Sequence, residues 1–182
     1  MIQQTGMTPD QYAAMEPEGV SRIMQIIAAA LIMSVIFFGG VVALLWEQNQ
    51  PAPAAPARIV DQPMILLAIV LTFLMLAARF TLPAIVTNYM VAGVIKMYQT
   101  GALSGTKEFF GRLMAIAQMR MILEYAMVEG ICTLNLVATM MTHSFLPVGI
   151  TIAMILMMVL MFPTRDKLLN WLEAQRNKMA DV

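Results

Sequence analysis

Charge is scarce in this chain. Of its 182 residues only 12% are charged, against about a quarter in ordinary soluble domains. Eleven basic and eleven acidic side chains cancel, which leaves no surplus for a basic nucleic-acid face. The single cysteine, Cys132, excludes an intrachain disulfide and a cysteine zinc cluster. The single histidine, His143, has no carboxylate or thiol near it in sequence. No nucleotide-cradling glycine loop, metal-ligand cluster or nucleophile–base set is present. These absences imply no cofactor and lean away from an enzyme. Any catalysis would fall to Glu124, Glu129 and Arg79 alone.

What is abundant is apolar sequence: 60% of residues are hydrophobic and the mean hydropathy is +0.75. The gaps between charges mark four runs, about 23–46, 63–86, 121–141 and 145–162. At about 1.5 Å per residue, a helical run of this length crosses a hydrocarbon core about 30 Å thick. Lipid offers no partner to open backbone groups, so these runs are expected to be helices. The expected fold is an all-α integral membrane protein with four transmembrane helices in two antiparallel hairpins and a C-terminal interfacial amphipathic helix. Residues 1–22 would be an N-terminal cytoplasmic segment, 23–163 the transmembrane domain and 164–182 a cytoplasmic tail. Cleavage of the first run as a signal peptide is disfavoured, because Asp10, Glu16 and Glu18 outnumber Arg22 and the run is too long. The small-x-small triplets of 51–57 are the one feature in its favour.

Basic residues set the orientation. Lys96, Lys107, Arg112 and Arg120 lie between the second and third runs, and Arg165, Lys167, Arg176 and Lys178 follow the fourth. The first loop has only Arg58 and the third has none. The positive-inside rule then places both termini in the cytoplasm of a cell membrane, the inner membrane in a bacterium. The Pro/Ala-rich stretch 47–62 reads as an extended, polyproline-like external loop. The short link at His143 implies a tight helical hairpin. Gly101, Ser104 and Gly105 break an extension of the second run from an amphipathic approach to the third, for which Thr106 is a candidate N-cap. In the tail, Leu168, Leu169, Trp171, Leu172 and Gln175 share a helical face, either lying at the interface or docked on the second loop.

The third run carries the informative chemistry. Glu124 lies about one turn from its cytoplasmic end and Glu129 about 12 Å deep, where a carboxylate is expensive and should face helices or water. Glu124, Val128, Ile131 and Asn135 form one stripe, and Glu129 lies about 140° round the helix. The glutamates therefore need separate partners. Arg79 is the candidate counter-charge for either one, with Arg120 competing for Glu124. Snorkelling of Arg79 and Glu124 to the interface is the alternative. Glu129, Glu124, Arg79 and Asn135 form the candidate intramembrane polar site.

The segment RMILEYAMVEGICTLNLVATMM, with Ala126, Glu129, Gly130, Leu134 and Val137, resembles the carboxylate-bearing helix of rotary ATPase proteolipid (c-type) subunits. The resemblance covers about twenty residues and implies that Glu129 binds and releases a proton within the membrane. The chain departs from that family in the bulky residues of its second run, in Arg79 and in lacking the polar loop. More broadly it resembles small multi-pass bacterial membrane proteins. The twenty methionines include Met154, Met157, Met158 and Met161 as two M-x-x-x-M pairs, with Met140, Met141 and His143 as an entry site for copper. Methionine spread over every run fits gap-filling packing better. Small residues four apart, Ala30/Ser34, Gly39/Ala43 and Ala126/Gly130, favour close helix contacts within or between subunits. The leading expectation is a non-enzymatic helix-packing or assembly component, whose partners are the bilayer and other helices. The alternative is a proton- or ion-coupled transport component using Glu129.

Overall fold

The computed structural model describes residues 8–48, 63–103 and 105–180. These contain six helices and no strand: α1 (Pro9–Ala13), α2 (Pro17–Gln48), α3 (Pro63–Gln99), α4 (Thr106–Thr142), α5 (Phe145–Leu160) and α6 (Arg165–Ala180). Three of them, α2, α3 and α4, are long and apolar enough to cross a membrane. The pair α5 and α6, bent by 71°, would supply a fourth span. Most of the expected 47–62 loop, with Arg58, and Ser104 of the break lie outside the described residues.

The helices are longer than the charge gaps implied. α2 starts at Pro17, α3 runs on to Gln99, and α4 begins at Thr106. Pro83 sits inside α3, where its missing N–H deprives the Arg79 carbonyl of its usual helical donor. In the same helix the single proton of the Thr81 hydroxyl is shared between the Ala77 and Ala78 carbonyls of the preceding turn. The end of α3 is a Schellman motif: Gly101 has φ 70°, its N–H reaches the Tyr98 carbonyl, and the Ala102 N–H reaches Met97. Thr106 is the first helical residue of α4 rather than its cap. The Gly105 carbonyl takes the Phe109 N–H, and Gly105, at φ 146°, uses a conformation closed to side chains. Ser144 caps α5 by accepting from the Leu146 N–H, and Thr164 does the same for Lys167 ahead of α6.

The chain forms two compact units that divide the long helices within their length, between Ile26 and Ile27, Leu82 and Pro83, and Ile122 and Leu123. The first unit comprises Met1–Ile26, Pro83–Ile122 and Pro163–Val182. Its core includes Val20, Met24, Val91, Phe109, Leu113 and Met114. Leu168, Leu172 and Gln175 of α6 are buried here, and Gln25 donates to the Pro163 carbonyl at 3.2 Å. Of the two arrangements open for the tail, the described one is the docked helix. Glu108, 3% exposed, is held by Arg112 one turn on at 2.8 Å.

The second unit comprises Ile27–Leu82 and Leu123–Phe162. Contacts fix its helix directions. Ser34 meets Glu129 and Gly39 faces Leu136, so α2 and α4 run parallel. Thr72 meets Asn135 and Met75 faces Gly130, so α3 runs opposite to α4. Tyr125 donates to the Met158 carbonyl at 2.8 Å, so α5 also opposes α4, as the two-residue link through His143 and Ser144 requires. α4 therefore touches α2, α3 and α5. Its buried residues include Val128, Ile131, Cys132, Asn135 and Leu136.

Candidate functional site

All four candidate polar residues fall in the second unit, three of them on its central helix α4. Helical rotation sends them to different neighbours. Glu129 is half-buried and faces α2, where the Ser34 Oγ lies 2.5 Å from its Oε1. The same hydroxyl lies 2.8 Å from the Leu31 carbonyl of its own helix. A hydroxyl has one proton and here meets two acceptors. With an ionised carboxylate, one of those contacts goes without a proton. With a protonated Glu129, the carboxyl would donate to Ser34 and Ser34 to Leu31, so that both contacts carry a proton.

Asn135 is fully buried and faces α3. Its Nδ2 donates to Thr72 Oγ1 at 2.8 Å and to the Ile131 carbonyl at 2.9 Å, while Oδ1 has no partner. Close helix approach makes the bond possible: a Cβ on Gly130 would stand 3.0 Å from Met75 Cε. Asn135 thus acts as a polar clamp between α3 and α4.

The anticipated ion pairs of Arg79 with Glu124 or Glu129 do not form. Arg79 is 5% exposed and points from α3 to α5, where Nη1 donates to the Met157 sulfur at 3.7 Å and Nη2 to the Met161 sulfur. Its Nε has no partner, and its guanidinium carbon stands 5.2 Å from the Phe80 ring centre. The reason is angular. Glu129 is turned to α2, and Glu124 is engaged in contacts of its own. Arg79 makes no ion pair and is buried against thioethers. A guanidinium on Met157 and Met161 also disfavours a second cation there, which weighs against the α5 methionine ladder as a copper path.

Ser34, Thr72, Tyr125, Met157 and Met161 complete these contacts. The sequence signalled Ser34 only as a small residue and the two methionines only as a possible metal pair. Thr72 and Tyr125 carried no signal, because the chain brings them to their partners from 63 and 33 residues away.

The concavities that the described residues form within the units include three of note. An apolar groove of about 450 Å³ runs between α2, α4 and α5, lined by Val35, Gly39, Leu136, Ile152 and Ile155 among others. Thr139 and Thr151 also line it, but their hydroxyls donate to the Asn135 and Pro147 carbonyls of their own helices. A smaller cavity of about 220 Å³ is lined by Leu45, Trp46, Met140 and His143. In the first unit a cavity of about 830 Å³ lies between the α1–α2 link, the start of α4 and α6, with Lys107 and Arg176 balanced by Glu16 and Glu173. Among the described residues, no three His, Cys, Asp or Glu side chains are grouped to hold a metal.

Comparisons with protein-family models, curated proteins and solved structures find no match to this chain.

Proposed function

We propose that this chain is a four-span membrane protein with both termini in the cytoplasm, and that it works by assembling with other membrane helices rather than by catalysis. One observation carries the reading. The Ser34–Glu129 pair sits at the edge of the second unit, with Ser34 exposed and Glu129 only half-covered. Ala30, Ala126 and Thr133, all small and exposed, surround it on α2 and α4. In hydrocarbon a carboxyl group at such a surface is expensive, and small residues let another backbone approach. A partner helix on this seam removes the carboxyl from lipid. The test is disulfide crosslinking in native membranes, with cysteines at Ala30 or Thr133 in a Cys132→Ala background. Crosslinked dimers or a defined heteromeric band support assembly, and monomers alone at both positions sink it.

The second reading is a proton-coupled transport component, favoured by the Ser34 hydroxyl, whose contacts with Glu129 and the Leu31 carbonyl both carry a proton only when the Glu129 carboxyl supplies one. The resemblance of this helix to the c-type proteolipid helix points the same way. Under this reading a carbodiimide modifies Glu129 and loses that reactivity as pH rises, and Glu129→Gln abolishes proton flux in vesicles. Unchanged flux in Glu129→Gln leaves the carboxyl as a packing group.

A further inference from the structure

We propose that Trp46, Met140 and His143 form a binding site for a soft monovalent metal cation of the Cu(I) and Ag(I) class, at the end of the second unit where α4 turns into α5. The three side chains line one cavity of about 220 Å³, closed on another side by Leu45. Each contributes a group that such a cation takes: an imidazole nitrogen, a thioether sulfur and the face of an indole. The imidazole is held without being used. Its Nδ1 is buried and has no hydrogen-bond partner, and its ring meets Trp46 edge-on at 5.5 Å. Trp46 is fixed from its other side by Phe145, with ring centres 5.0 Å apart. His143 also occupies the left-handed region at φ 50°, where it ends α4 by returning its N–H to the Thr139 carbonyl at 2.9 Å. Glycine or asparagine would serve that turn as well; histidine adds a ligand to it.

The charge of the ion follows from what the cavity lacks. No carboxylate lines it, so a divalent ion would bring two uncompensated charges into an apolar wall. A hard cation would find no oxygen ligands. Neutral nitrogen and sulfur donors suit a soft ion of charge one. The site is separate from the α5 methionines, where the Arg79 guanidinium already sits on Met157 and Met161. It is also separate from Cys132, which is fully buried on α4.

The experiment titrates the full chain in detergent with Ag(I), in chloride-free buffer, and reads Trp46 fluorescence in a Trp171→Phe background. The expected result is saturable quenching at one ion per chain. Met140→Leu, which keeps the side-chain volume, and His143→Asn, which keeps the left-handed turn, each weaken binding by at least about tenfold. Cys132→Ala leaves binding unchanged. Quenching that persists unaltered in both ligand variants, or that disappears in Cys132→Ala, overturns the assignment. Tighter binding of Zn(II) than of Ag(I) overturns its soft, monovalent character. Met140→Leu leaves the turn intact, so it decides the matter even if His143→Asn unfolds.

Discussion

Arg79 is the residue with the least comfortable surroundings. Its guanidinium is buried against two thioethers, with Nε unpartnered. Sulfur is a weak acceptor and carries no compensating charge, so burial is only partly offset. Replacing a buried charge by an apolar side chain of similar length is often neutral or stabilising. Arg79→Met is therefore expected to raise the thermal midpoint in detergent by about 3 °C, on the order of 1 kcal/mol. Arg79→Ala is expected to lower it, because truncation leaves a cavity. A lower midpoint for Arg79→Met would mean that the cation is held by something stronger than the thioethers. Their polarity within apolar runs picked Arg79, Glu124, Glu129 and Asn135 out of the sequence, but charge arithmetic paired the first with the wrong chemistry. Rotation about α3 and α4 decides which neighbour a side chain meets. An error of one residue in register, about 100°, is enough to exchange a carboxylate for a sulfur.

At the scale of the element, the helices were legible where the pattern was long and the punctuation local. The breaks at Gly101 and Gly105, the His143 link and the extension of α3 to Gln99 all follow from residues adjacent in sequence. The boundaries were less so, since the charges at Glu18, Arg22 and Lys107 do not stop a helix once it leaves an apolar run. Two glycines of this region separate conformational need from mere tolerance. Gly101 has φ 70° with open space around it, so only its backbone conformation resists a side chain. Gly93 lies inside α3 with equally open space. Gly101→Ala is expected to destabilise the protein by about 1 kcal/mol. Gly93→Ala is expected to stabilise it by about 0.5–1 kcal/mol through helix propensity. Opposite shifts in thermal unfolding check the pair; equal shifts would remove the Schellman motif as the cause.

For the whole molecule, helix directions alternate in the second unit, α3 and α5 opposing α2 and α4, and the chain divides into two compact units. Their division depends on long-range contacts, such as Gln25 with Pro163, that no local pattern encodes. The proposed topology has a direct test. In a Cys132→Ala background, a cysteine at Ser144 should react with an impermeant maleimide added to intact cells. One at Thr100 should react only after lysis. Labelling of both from outside, or reversal of the two, would refute the orientation.

The hydroxyls that bond to their own helices have a further consequence, for how the chain is made. Thr81, Thr139, Thr142 and Thr151 each donate to a carbonyl within one turn, so their helices can leave the ribosome with those groups already satisfied. Asn135 and Glu129 cannot, since each needs a partner on another helix. α4 is also the least apolar of the three long helices. It should therefore partition poorly from the translocon by itself and wait for α3 to offer Thr72. Glycosylation mapping of nascent chains would show α4 inserting efficiently behind α2 and α3, and poorly as an isolated segment. Efficient insertion of α4 alone would show that membrane entry does not depend on its polar partners.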